Sequence, residues 1–208
     1  MENLNLLLPE IFLSISIFSI LLIGVFFKNS YNFVTKITYV IIIATALIIL
    51  DHFDDTYKLF SGSLIYNSFT SYFKILILIG TFFVILISQN YLKEKKIAYF
   101  EYPILILFSI LGMFIMISSN DLIIFYLGLE LQSLSLYILA AFDRDNLKSN
   151  ESGLKYFILS ALSSGLLLYG CSLLYGFTGS TNFETISLEL NNKNIGAVFA
   201  MVFILVGL

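Results

Sequence analysis

A chain of 208 residues that is 59% hydrophobic, only 12% charged and has a mean hydropathy of +0.94 would leave too much apolar surface in water. A soluble fold is therefore excluded and the bilayer is the solvent. The net charge of −3 says little, because in a membrane protein the placement of charges outweighs their sum, while the single Cys171 excludes an internal disulfide and the single His52 excludes a haem or metal site built on paired histidines.

In chain order, the first apolar segment is Leu6–Phe27. Its leader carries Glu2 and Glu10 with no basic residue, and its apolar run is too long for a cleaved signal, so it reads as a retained span. Phe33–Leu50 follows, then a polar connection Asp51–Ser71 containing Asp51-His52-Phe53-Asp54-Asp55, which reads as a solvated loop in preference to a loose cation site. The next spans are Tyr72–Leu92, Tyr102–Ser119, Leu122–Phe142 and Leu154–Gly176. Lys36 and Lys74 lie near span ends and are expected to snorkel to the headgroups. The richness in Ile and Phe would favour strands in water, but a segment of about 20 apolar residues spans the hydrocarbon only as a helix, and the alternation needed by barrel strands is absent. The fold expected is all-α: one transmembrane domain forming a polytopic membrane helix bundle.

A seventh apolar segment, Ile195–Leu208, would reach only about 21 Å. A partner or continuation is expected to complete it, with the chain as the front part of something longer.

Assigning alternate connections to alternate sides puts Lys28, Lys36, Lys93, Lys95, Lys96, Arg144, Lys148 and Lys155 on one side, against Lys58, Lys74 and Lys193 on the other. The positive-inside rule then places the N-terminus outside. The outer connections hold Asp51, Asp54, Asp55, Asp121, Glu184 and Glu189, and Tyr31, Tyr66, Tyr72, Tyr91, Tyr99 and Tyr102 are placed to anchor at the headgroups.

Glu130 is the residue that most invites chemistry. It lies inside the run Leu122–Phe142, where a carboxylate costs about 2.5–3.5 kcal/mol or more. Three readings are open: a proton-carrying group, a structural carboxylate paired with a base, or a neutral acid bonded to Ser133 or a facing helix. Lys155, at the start of the following antiparallel span, is the natural partner, although from the sequence alone snorkelling to the headgroups is the stronger reading for it. Gly153, Gly165, Gly170 and Gly176, with Ser160, Ser163, Ser164 and Ser172, suggest a sixth helix packed closely against protein, and Cys171 reads as a packed thiol. There is no Gly-rich phosphate loop, zinc spacing, Ser-His-Asp set or basic patch sized for nucleic acid, and a redox cofactor would find no ligands.

The strings Leu129-Glu130-Leu131-Gln132-Ser133-Leu134, Gly153-Leu154-Lys155-Tyr156, Ser163-Ser164-Gly165 and Leu173-Leu174-Tyr175-Gly176-Phe177-Thr178-Gly179-Ser180-Thr181-Asn182-Phe183 carry a family resemblance. So do Pro9-Glu10-Ile11 and the junction Met116–Leu122. On these the chain resembles, over essentially its whole length, subunit 2 (subunit N in bacteria) of NADH:ubiquinone oxidoreductase, respiratory complex I. The resemblance implies the N-terminal half of an antiporter-like subunit of about 14 helices, built on inverted repeats with broken helices. It makes Glu130 and Lys155 the residues of proton translocation. It also implies that a central lysine, expected a few residues beyond Val206-Gly207-Leu208, and the second repeat lie in a C-terminal continuation or a second polypeptide.

The function so implied is proton translocation coupled to NADH-to-ubiquinone electron transfer, as a non-redox subunit of a translocase with no catalytic activity alone. The chain itself would bind no cofactor; NADH, FMN, iron–sulfur clusters and ubiquinone would be handled by other subunits. Its partners would be other membrane-arm subunits and lipid, with no nucleic acid. The mitochondrial inner membrane suits the resemblance, with a bacterial inner membrane as the alternative. A subunit of a multi-subunit cation/proton antiporter and a scaffold-only half-subunit are the competing functions.

Overall fold

The computed structural model describes residues 7–27, 30–53, 56–190 and 195–208. Lys28, Asp54, Asp55 and Lys193, used above for sidedness, lie outside the described residues. The elements run α1 (Leu8–Phe26), α2 (Tyr31–Asp51), β1 (Tyr57–Leu59), β2 (Leu64–Tyr66), α3 (Ser68–Glu94), α4 (Glu101–Ser118), α5 (Leu122–Ala140), α6 (Leu147–Thr178), α7 (Phe183–Leu190) and α8 (Ile195–Gly207). Among the described residues, α1 to α6 are long and apolar enough to cross a membrane. The all-α polytopic bundle is the observed architecture.

Local chemistry sets the helix ends. Pro9 occupies the first turn of α1, where its missing N–H leaves no bond unmade. Asn67 and Thr70 exchange side-chain-to-backbone hydrogen bonds in a capping box that starts α3. The Asp121 carboxylate accepts from the Ile123 N–H at 2.9 Å to start α5. Gly179, in the left-handed region at φ 70°, ends α6 and bonds back to the Tyr175 carbonyl.

Three boundaries differ from the sequence reading. α6 has 32 residues instead of the span Leu154–Gly176, and at about 1.5 Å per residue it overreaches a hydrocarbon core of about 30 Å, so its first turns stand in the aqueous or headgroup layer. The connection Asp51–Ser71 holds the hairpin β1–β2, paired Tyr57 with Tyr66 and Leu59 with Leu64. Its apolar side chains Leu59, Leu64 and Tyr66 are buried against Leu7 and Ile124, a burial that depends on the helices around it. The segment after α6 contains the short amphipathic α7.

One apolar core joins α1 to α4 through Leu13, Ile17, Ile42, Leu78, Leu107 and Phe114. A second joins α6, α7 and α8 through Leu167, Cys171, Leu174, Ile186 and Ala200, with Leu122 of α5. Helix α5 bridges the two, packed against α4 on one side and α6 on the other. The α4–α5 crossing is tight because Gly112 faces Gly128: a Cβ on Gly112 would stand 2.7 Å from the Gly128 carbonyl oxygen.

Of the small residues in α6, Gly153 lies on Ala141 and Gly170 on Ala200 and Ile204, whereas a Cβ on Gly165 or Gly176 would meet open space. The sixth helix is thus packed along one side and open along the other, a narrower result than the close packing expected. The hairpin, the α4–α5 junction and the α6–α7 junction interlock at one end of the bundle. There the Asn120 N–H donates to the Ser63 carbonyl, the Leu122 N–H to the Thr181 carbonyl, and Thr181 donates to the Asp121 carboxylate.

Candidate proton-transfer site

Glu130 sits near the middle of α5, two residues after Gly128 has brought that helix against α4. Its side chain is half-buried, and its Oε1 is buried with no hydrogen-bond partner among the described residues. Ser133 and Ser135 do not serve it: their hydroxyls donate to the Leu129 and Leu131 carbonyls of their own helix, at 2.7 and 3.1 Å. Tyr126, one turn earlier, lies within hydrogen-bonding reach of the Glu130 carboxyl and of Ser164 on α6, with Cys171 beside the same phenol.

Lys155 is elsewhere. Its ammonium bonds Glu151 one turn back on α6 at 2.5 Å, in a pair whose side chains are 70% and 63% exposed. The register of the two helices explains why. Ala141 meets Gly153 and Tyr137 bonds Ser160, so the antiparallel partners at the level of Glu130 are residues 164 to 167. Lys155 stands nine to twelve residues before that level, about 14–18 Å along the axis, beyond the combined reach of the two side chains. The structure therefore does not bring Glu130 and Lys155 into contact; adjacency and antiparallel direction alone had made a meeting conceivable.

A buried acid–base contact does exist, at residues the sequence reading passed over. Lys74 of α3 was expected to snorkel, but its side chain is 2% exposed, and its ammonium donates to Oε1 of Glu10 on α1 at 2.6 Å. The Tyr66 ring lies 4.0 Å from the ammonium and the Phe114 ring 5.6 Å, so aromatic faces complete the enclosure. Snorkelling fails because the hairpin closes over the end of α3 that Lys74 would need. Tyr66 is accordingly buried and is no headgroup anchor, and burial together with the nearby Glu10 carboxylate pushes its phenol above the ordinary range. Lys36, by contrast, is exposed as expected. The signal available in the sequence was one carboxylate and one lysine, each a short way inside its own span, which is a functional default for intramembrane charges.

Comparison with known proteins gives a consistent relationship. Residues 119–208 match the family described as NADH:quinone oxidoreductase/Mrp antiporter, TM. The NADH-quinone oxidoreductase subunit N of Pelagibacter ubique is 56% identical over 209 aligned residues, covering 100% of this chain and 44% of that protein. The same subunit of Bartonella bacilliformis is 49% identical, covering 99% and 43%. The chain thus spans less than half the length of the curated relatives it matches. Among solved structures, a chain of respiratory complex I from Thermus thermophilus aligns with TM-score 0.79 at 25% identity, covering 96% of this chain and 42% of that one. A chain of the Mrp complex from Dietzia sp. DQ12-45-1b shares the fold, with TM-score 0.67 at 17% identity over 99% and 40%. This chain belongs to the NADH:quinone oxidoreductase/Mrp antiporter membrane family, and within it to the subunit N group, whose N-terminal portion it matches.

Proposed function

We propose that this chain acts in proton translocation as an antiporter-like membrane-arm subunit of NADH:quinone oxidoreductase, with Glu130 carrying the proton. The observation behind this reading is a carboxyl group at mid-span with one buried oxygen that has no hydrogen-bond partner among the described residues. A carboxyl so placed gains a bond when protonated or when a facing donor approaches, which suits a group that alternates between two states.

Lys155 acts on Glu130 at a distance. Over about 15 Å at an effective dielectric of about 20, a unit charge contributes roughly 1 kcal/mol. Solvent around the exposed Lys155 reduces that further. In this reading the NADH, FMN, iron–sulfur and ubiquinone chemistry belongs to other subunits, and the partners are those of the membrane arm together with whatever polypeptide supplies the remaining length. The curated relatives above are bacterial, which favours a bacterial inner membrane over the mitochondrial one.

The test is proton translocation per NADH–quinone turnover in sealed membranes carrying the assembled complex. Glu130→Gln keeps size and hydrogen bonding but cannot titrate, so the ratio falls while assembly persists. Lys155→Met should lower it less. Unchanged pumping by a fully assembled Glu130→Gln complex would refute Glu130 as the proton carrier.

A further inference from the structure

The buried pair Glu10–Lys74 has features that an ion-pair clamp does not need. Taking two charges out of water seldom stabilises a fold relative to well-packed apolar residues, so the pair is poorly explained as glue. Around it, the Tyr66 hydroxyl lies between Glu10 and Ser118, and Oε2 of Glu10, the Tyr66 hydroxyl and the Ser118 hydroxyl are buried with no well-aligned hydrogen bond among the described residues. A cluster of polar groups buried on one charge pair with loosely made bonds has room to rearrange its protons.

A cavity of about 20 Å³ adjoins the pair, lined by Lys74, Tyr66, Ser71 and His52 with Pro9 and Ile49. That is room for one water, with several polar neighbours to hold it. From there the side chains open to the surface in steps: Lys74 is 2% exposed, His52 34% and Asp51 82%, with His52 Nε2 3.7 Å from the Asp51 carboxylate. Lys74 is six residues inside the start of α3, so the site lies roughly 9 Å below the hairpin end of the bundle.

The charged and titratable groups that face the site are Glu10 from α1, His52 just past the end of α2, with Asp51 behind it at the surface, and Tyr66 from β2. Helix α4 contributes Phe114 and Ser118 at this level, and Lys58 of β1 is engaged at the surface with Glu184.

We propose that Lys74 and Glu10 form a second proton-exchange site, which trades protons with the aqueous phase at the hairpin end through the water-sized cavity and His52. In the step, an N–H bond of the Lys74 ammonium breaks, its proton crosses the cavity water, and an N–H bond forms on the neutral His52 imidazole. His52 then releases that proton to the aqueous phase, and the Lys74 amine, with Glu10 as fixed counter-ion, takes its next proton from the translocation path inside the membrane. The inference goes beyond the role given to Glu130 and rests on the chain being part of a proton translocator.

The experiment uses the assembled complex in sealed membranes, reading protons moved per NADH–quinone turnover in four variants. Lys74→Arg keeps the charge and the pair but cannot give up its proton. His52→Gln removes the relay at a half-exposed position. Glu10→Gln/Lys74→Met removes both charges, and Glu130→Gln is the comparison. Proton exchange predicts that Lys74→Arg and His52→Gln assemble and pump about tenfold less than the parent. Parent-like pumping by assembled His52→Gln, or by Lys74→Arg where the double variant fails, would reduce the pair to a structural clamp. Should Lys74→Arg not assemble, His52→Gln alone decides. Normal pumping in Glu130→Gln and His52→Gln together would refute the translocator reading itself. Impairment of Glu130→Gln alone would refute only this second site.

Discussion

Gly112→Ala should destabilise the bundle although it adds one methyl group to an apolar helix. The Cβ it introduces would stand 2.6 Å from the Gln132 backbone nitrogen and 2.7 Å from the Gly128 carbonyl oxygen. Ordinary contacts of this kind begin near 3.4 Å, so α4 and α5 must separate by about 0.7 Å along the line of approach. Both clashing atoms are backbone, and no side-chain rotamer can relieve them. Separation thins the packing along the whole crossing, which for an overpacked site costs about 1–3 kcal/mol. The added methyl returns at most about 0.8 kcal/mol of burial in water and less in lipid. Gly80→Ala is the control, because Gly80 is exposed on α3 and a Cβ there meets nothing within 4 Å. It should be neutral or stabilising by up to about 1 kcal/mol. The assay is heat-induced loss of the chain from the detergent-solubilised complex. At about 2–4 °C per kcal/mol for a chain of this size, Gly112→Ala should come out several degrees below parent, with Gly80→Ala at or above it. Equal stability of the two would refute the reading of α4–α5 as a backbone-to-backbone crossing that fixes the position of Glu130.

Lys74→Met leaves the Glu10 carboxyl buried without its counter-ion and should cost about 3–5 kcal/mol in the same heat assay. Glu10→Gln/Lys74→Met should recover most of that loss, and simple additivity of the two single variants would argue against the pair. For sidedness, cysteines at Asp51 and Lys95, both exposed and separated by the span α3, should be labelled from opposite sides of sealed vesicles, with Asp51 on the outer side; labelling of both from one side would refute this topology.

The spans were legible because lipid leaves the chain one local solution: about 20 apolar residues in a row must be a helix, whatever their intrinsic preference for strands. The same reasoning stops at the membrane surface, where water again satisfies the backbone. The hairpin Tyr57–Tyr66, α7 and the added turns of α6 all lie beyond the spans, and the sequence offered only polar composition there. The hairpin rests on Phe60, Ser61 and Gly62, three successive residues with φ between 51° and 87°, and only the glycine among them announces a left-handed backbone.

Site residues were legible as types and illegible as pairs. Glu130 stands out because a carboxylate in an apolar run is costly wherever it falls, and that cost needs no tertiary knowledge to estimate. Which base it meets depends on the register of two helices, and register is set by contacts such as Gly153 on Ala141 that no count of residues from a span end contains. Lys155 lies one turn from Glu151, so a local partner was already present and exposed, and that surface pair required no long-range packing at all. Lys74 is the opposite case. Its neighbours on α3 are Phe73 and Ile75, with no acid a turn away; its counter-ion comes from α1, sixty-four residues earlier, and its cover from Tyr66 of β2. A lysine near a span end with no local acid is therefore the one to suspect of a buried partner, because the charge must be satisfied by tertiary structure or by the surface, and a hairpin that closes over the helix end removes the surface.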